Sequence, residues 1–477
     1  MTDGIGSLRL EQRAAGRRLR KVVNRSAHGS WEPAADRPDP ISVLRDQDRT
    51  RVPDLVPIRY GRMSASPFAF FRGSAAVMAA DLAATPVTGI TVQACGDAHL
   101  ANFGMYATPE RRLVFDLNDF DETLPGPWEW DLKRLAASFE IAGRSKEYPT
   151  AIVSTAVREV GRAYREAVQA LVRLSTMEEW YFHVDIDAVL AQIEAVRRGD
   201  RGAVSSFELS LLGLDVGRDR KTIERARRQI EKARKRTNER AVSRLTEVDE
   251  DGRHRIIDAP PLVMPLALEG ADRVAFDAAF AHYRETLSVD RRHLLDRFRF
   301  EALGRKVVGV GSVGTRALFA VFVDDGGFPL LLQFKQANPS VFEPYLGPSE
   351  FATHGERVVA GQRLMQAASD LFLGWATYAP TGEDFYFRQL RDMKGSFDLA
   401  FMSPAGFVHY ARLCGVTLAR AHVRSGDGDA IDGYLGVSDV FDRALASFAA
   451  AYADQVERDH AALRREIDAG RIEIASA

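Results

Sequence analysis

The chain has 477 residues, 64 Lys and Arg against 66 Asp and Glu, a net charge of −2, and 46% hydrophobic residues. That length allows two or three domains with real cores, and the balanced charge excludes binding to nucleic acid or an anionic membrane by bulk charge. Two cysteines, Cys95 and Cys414, exclude a disulfide framework and point to a cytoplasmic protein, and no apolar run approaches the ~18–20 residues of a membrane span.

Residues 1–55 are polar, Arg-rich and punctuated by Pro38 and Pro40, and read as an arm laid over the surface. A helix is expected over 74–84, a strand in TGITVQACG, and a second strand over 111–117. Residues 131–143 and 149–173 alternate apolar and charged positions at helical spacing. The stretch 216–244 is the most charged, and its apolar Ile223, Ala226, Ile230 and Ala233 fall three and four apart, which predicts a helix with one narrow apolar face. A long helix is expected over 272–298. Residues 306–337, rich in β-branched and aromatic residues, predict a three-stranded meander. A helix over 350–369, two strands in FLGWATY and EDFYFRQL, and helices over 404–423 and 439–466 complete the chain.

Three groups of residues carry chemistry. Asp97 is followed five positions on by Asn102, and then by the acidic run Asp116-Leu117-Asn118-Asp119-Phe120-Asp121-Glu122. Phosphoryl transfer to an alcohol needs such a set: one carboxylate orients or deprotonates the hydroxyl, while an amide oxygen and a second carboxylate hold Mg²⁺. The second group is Gly309-Val310-Gly311-Ser312-Val313-Gly314. A dinucleotide-binding turn would have to open a helix, but strand-like TRALFAVFV follows, so a flap over ATP phosphates between two strands is expected. The third is Lys335, at the end of an apolar strand in a chain where only 9 of the 64 cations are lysine. A compact ammonium contacts phosphates as a point charge, and Glu356, with Glu350 and Glu343 as competitors, is expected to hold it. Arg59, Arg62 and Arg72 flank an aromatic run, SPFAFF, and could grip an anionic substrate or pair with the acidic loops.

The parts of a kinase site are thus present in permuted order, with the catalytic and metal residues about 200 positions before the flap and lysine. The runs PIRYGRM, SPFAFFRG, CGDAHLANFG, VFDLNDFDETLPGPWEWDLKRLAAS, GVGSVGTR and FKQA resemble a bacterial family catalogued as domain of unknown function 2252, over about residues 15–460. The family looks kinase-like and implies no substrate. Its acidic motifs are similar to those of aminoglycoside and choline phosphotransferases. That resemblance implies that Asp97 is the catalytic base, that Asn102 and Asp119 bind metal, and that Asp131 braces the catalytic loop. Cys95 stands where those enzymes carry His, and Asp116 or Asp121 could replace Asp119.

The resulting expectation is an α+β, protein-kinase-like two-lobe fold in circularly permuted order. Residues 1–55 form an arm and 56–300 a large helical lobe. Residues 301–395 form a small β-rich nucleotide lobe, and 396–477 helices complete the large lobe. The expected activity is ATP- and Mg²⁺-dependent phosphorylation of a small-molecule hydroxyl, with Gly309, Gly311, Ser312, Gly314, Lys335 and Glu356 at the nucleotide. The alternatives are a non-catalytic, nucleotide-binding pseudokinase and a metal-dependent phosphodiesterase that would use His99. No nucleic-acid or membrane partner is expected. If the permutation holds, Lys335 Nζ should lie roughly 3–8 Å from the Asp119 carboxylate, a reach set by phosphate and Mg²⁺ dimensions.

Overall fold

A computed structural model describes residues 3–198, 211–213, 220–307, 309–390 and 393–475. The fold is mixed α+β, and thirteen described strands form four separate sheets.

Two small sheets carry the acidic loops. Strands β1 (Thr91–Ala94) and β4 (Leu124–Pro127) pair antiparallel. Strands β2 (Phe103–Ala107) and β3 (Leu113–Leu117) form a hairpin, to which β5 (Val184–Asp185) adds. Beneath them runs the helix Trp128–Ser145, buried on every face from Trp128 to Gly143. It packs against Thr150–Leu171, Pro404–Ser425 and Val440–Asp468, which share one core of small and aromatic residues. Trp128 stacks on Tyr164 there, with ring centroids 5.6 Å apart. Each large apolar side chain so buried contributes about 1.5–3 kcal/mol.

A two-stranded sheet follows, β6 (Thr246–Val248) with β7 (His254–Ile256). The largest sheet has six antiparallel strands in the order β12-β13-β11-β10-β9-β8. These are β8 (Val263–Leu266), β9 (Phe298–Lys306), β10 (Ala317–Asp324), β11 (Pro329–Ala337), β12 (Gly374–Tyr378) and β13 (Glu383–Gln389). The helix His354–Met365 lies between β11 and β12 in sequence, and Thr353 caps it by accepting the Glu356 N–H.

Three expectations need correction. The long helix expected over 272–298 is two helices, Gly270–Glu285 and Val289–Leu295, and Phe298 already opens β9. The first meander strand is therefore 298–306, not the KVVGV run. The basic stretch is likewise two helices, Arg220–Arg234 and Asn238–Leu245, while 216–219 lie outside the described residues. Ile223, Ala226 and Ile230 of its apolar face line a cavity of about 170 Å³.

The N-terminal residues are largely helical, with Asp3–Leu19 and Pro40–Asp48, and bind the C-terminal helices through cations. Arg37 joins Asp81 and Asp459, each at 2.6 Å, and Arg20 donates to the Tyr434 carbonyl. Among the described residues, no helix is long and apolar enough to cross a membrane.

Candidate functional site

The catalytic-loop geometry begins at a glycine. The chain leaves β1 and turns at Gly96 (φ +84°), where a Cβ would stand 2.2 Å from the Glu122 carbonyl oxygen. No other residue fits there. Asp131, in the first turn of the Trp128–Ser145 helix, accepts the Cys95 N–H at 2.6 Å and the Gly96 N–H at 3.0 Å. His422 Nε2 lies 3.3 Å from the same carboxylate. The buried aspartate thus fixes the strand-to-loop turn from below, where a helix N-terminus also favours negative charge. Cys95 Sγ reaches the Asp119 carbonyl at 3.2 Å and ties the two acidic loops together.

Asp97 and Asn102 lie between β1 and β2, Asp97 in irregular backbone and Asn102 at the end of the 3-10 turn Leu100–Asn102. Arg134 donates to Asp97 Oδ1 from Nε at 2.7 Å, and its guanidinium stacks over Phe71 at 4.0 Å. Asp97 Oδ2 faces His99 Nε2 at 3.8 Å. Asn102 Nδ2 donates to the Asp97 carbonyl at 2.8 Å, which leaves its amide oxygen free for another partner.

Lys335 reaches the acidic loop from β11, behind the cleft wall. Its Nζ lies 3.6 Å from Asp119 Oδ1, inside the expected range, and pairs directly with Asp121. Tyr386 on the neighbouring β13 donates to Asp121 Oδ1 at 2.8 Å. Among the described residues, Lys335 is therefore held by Asp119 and Asp121, and Glu356 is not its partner. The helix turns the next residue inward instead. Buried Arg357 donates to the carbonyls of Asp121 (2.8 Å), Thr123 (2.6 Å) and Asn338 (2.7 Å), and so fastens the acidic loop to the large sheet. Of the competitors, Glu343 faces Arg357 at 3.8 Å and His354 at 3.6 Å, and Glu350 is exposed.

Asp116 is removed from the metal question. It is buried against Arg420 and accepts the Ala367 N–H at 2.8 Å, outside the cleft.

The glycine turn joins β9 to β10, which are antiparallel, so it opens no helix. Gly309 and Gly314 have φ of +65° and +93°, and a Cβ on Gly311 would stand 2.8 Å from the Arg72 carbonyl oxygen. Arg62 donates to the Gly309 carbonyl at 2.6 Å, and the Val52 N–H donates to the Gly314 carbonyl at 2.8 Å. Residues 51–72 thus clasp the turn. Arg59 plays no part at the cleft, since its buried guanidinium pairs with Asp48 at 2.6 Å.

Together these segments enclose a cavity of about 230 Å³ lined by Asp97, Asn102, Asp119, Asp121, Gly309, Gly311 and Ser312, with Arg51, Arg72, His99 and Glu122. Gly314, Lys335 and Glu356 do not line it.

The charges are strongly perturbed. Burial raises the Asp97 carboxyl above its ordinary range, although Arg134 opposes this. Burial also penalises Asp119, but Lys335, Arg388 and Lys394 prevail and hold it at about 2. Burial and the neighbouring Asp119 raise Asp121. Burial pushes Glu122 up to about 7 and, with Arg388 and Lys335, Lys394 down to about 7. Burial, Arg72 and Arg134 depress His99 well below the usual imidazole range, so its ring is neutral, and its Nδ1 accepts the Ala101 N–H.

The donor set suits one cation held together with phosphate. Ionised Asp119 and the free Asn102 oxygen are hard oxygen ligands, and Mg²⁺ takes one or two protein ligands plus phosphate oxygens and water. Among the described residues, no three His, Cys, Asp or Glu side chains converge as a self-sufficient metal cluster.

Sequence reasoning missed Arg134, Arg51, Arg357, Tyr386 and the pairing role of Asp121. Arg134 carried one signal, since it follows Asp131 by three positions and shares its helix face.

No curated protein and no solved structure matches the chain. Residues 51–466 match the family described as "Uncharacterized protein conserved in bacteria (DUF2252)", and the chain belongs to that family.

Proposed function

We propose that this protein is an ATP- and Mg²⁺-dependent phosphotransferase, kinase-like in architecture and permuted in chain order, that phosphorylates a hydroxyl of a small molecule. The observation that carries this reading is the convergence on one cleft of Asp97, Asn102 and Asp119 with a glycine turn about 200 positions later, with Lys335 behind the cleft wall at 3.6 Å from Asp119. The order within the large sheet supports it as well: glycine turn between β9 and β10, lysine on β11, then a helix, as in the nucleotide lobe of protein kinases. In this reading 301–395 form the small lobe, 56–300 with 396–477 form the large lobe, and 1–55 are an arm across it.

Arg134 occupies Asp97 Oδ1, so Oδ2 is the oxygen left to take the proton of the acceptor hydroxyl. A carboxyl raised by burial is better matched to that task than an exposed one. The acceptor oxygen bonds to the γ-phosphorus as the bond to the departing ADP oxygen breaks, and the proton goes to Asp97. The 309–312 turn covers the phosphates, and Lys335 offsets their charge. Mg²⁺, held by Asn102 and Asp119, would supply further neutralisation of the phosphate oxygens.

ATP with Mg²⁺ should raise the melting temperature, and slow ATP hydrolysis should fall by about 10²–10⁴ in Asp97→Ala. Hydrolysis untouched by that change refutes the assignment. One observation favours the pseudokinase as a second reading: Lys335 is already neutralised by two carboxylates, and a nucleotide holder without turnover would show binding but no hydrolysis. The phosphodiesterase is disfavoured, because a binuclear centre needs the ligand cluster that the described residues lack.

A further inference from the structure

Arg72 lines two cavities at once. One is the catalytic cleft; the other is an adjoining groove of about 380 Å³. The groove runs along the catalytic loop, since Leu100 and Ala101 form part of its wall. Its opposite wall is the basic helix Arg220–Arg234 and the residues after it. Gln229, Lys232 and Ala233, on one face of that helix, line it together with Arg236, which follows the helix end.

The cations of this groove are unspent. Among the described residues, Arg72 makes no hydrogen bond or ion pair, and its Nε is buried without a partner. Its charge is felt by Asp97 and Asp119, so it sits beside the reacting end of the cleft. Two other basic residues of the helix are paired, Arg227 with Glu194 at 2.8 Å and Arg234 with Asp187, whereas Arg225 and Arg228 lie outside the groove. Among the described residues, Lys232 and Arg236 are not so paired. The acid in the groove, Asp398, uses its carboxylate to cap a turn by accepting the Ala400 N–H at 2.9 Å. Three cations without ion-pair partners thus line a groove beside a catalytic carboxylate, and such a lining attracts an anion.

We infer that the phosphoryl acceptor is itself a small anion, a hydroxyl-bearing molecule with a phosphate or carboxylate group, held in this groove by Arg72, Lys232 and Arg236. The inference rests on the phosphotransferase reading for the word acceptor, but the anion site stands or falls separately. Its anionic end lies against the basic helix, and its hydroxyl passes Arg72 to reach Asp97.

The probe is inorganic phosphate, with melting temperature as the readout in the full chain. Phosphate should stabilise the wild type, and Lys232→Glu with Arg236→Glu should abolish that shift while the ATP·Mg²⁺ shift persists. Lys335→Met, or Asp119→Asn where that variant does not fold, should do the reverse. A phosphate shift that survives in the double variant, or is absent from the wild type, overturns the anion site. Loss of every ATP response with the phosphate response intact strikes the phosphotransferase reading and leaves the groove standing. In a transfer assay on a metabolite extract split by anion exchange, the acceptor should be in the retained fraction; an acceptor in the flow-through overturns the inference.

Discussion

Replacing Lys335 by Met keeps the volume of the unbranched stem and removes the charge. Lys335 is 3% exposed, and the change leaves Asp119 and Asp121 facing one another without a cation between them. Breaking a buried ion pair from one side costs about 3–5 kcal/mol, because the remaining charge stays desolvated. The pH dependence gives a sharper signature than the size of the loss. Asp119 is held at about 2, below its ordinary 3.8, so its stabilisation is present above about pH 4 and lost as the pH falls towards 2. Asp121 is already raised by burial and Asp119, and Lys335 is what restrains it. Without Lys335 the pair takes up a proton on folding at a pH where the wild type does not. The deficit of the variant should therefore shrink on going from about pH 7 to about pH 5. Urea unfolding at the two pH values, followed by tryptophan fluorescence, measures it. A deficit below about 1 kcal/mol at pH 7, or one that does not narrow on acidification, refutes the view that Lys335 neutralises this loop.

Gly96→Ala should destabilise by about 2–4 kcal/mol, combining left-handed backbone strain with a contact to the Glu122 carbonyl, read as the urea midpoint. Glu122 titrates near 7 rather than 4.5, a raised value, so its contribution is fully present below about pH 4.5 and lost as the pH rises through 7. Glu122→Gln should consequently be more stable than the wild type at about pH 8 by about 2 kcal/mol, a figure reduced for partial exposure, and match it at about pH 4.5. Equal stability of the two at high pH would contradict this.

The long helices and the strands β10 to β13 were readable because each shows one sustained period. The breaks were not. Thr286 and Ser288 interrupt a run whose charges continue at helical spacing, and Phe298-Arg299-Phe300 alternates too briefly to announce β9. Strand β4, Leu-Pro-Gly-Pro, contains residues that strands avoid, and it exists because β1 alone is its partner. At the site, Asp97, Asn102, Asp119 and the glycine turn were legible as motifs, since their spacing is local. The partner of Lys335 was not, because pairing depends on which face of the His354–Met365 helix meets the acidic loop. That face carries Arg357, and Glu356 lies beside it, half-buried. Arg134 showed only its helix-face relation to Asp131, because its contact with Asp97 is made only when the helix is set beneath the loop.

Calorimetric titration of ATP with Mg²⁺ into the wild type, Lys335→Met and Asp119→Asn decides whether this cleft holds a nucleotide. The wild type should show a single site, weakened at least about tenfold in each variant, since each removes a charge-assisted contact of about 1.5–3 kcal/mol. No binding to the wild type, or equal binding to all three proteins, would contradict this.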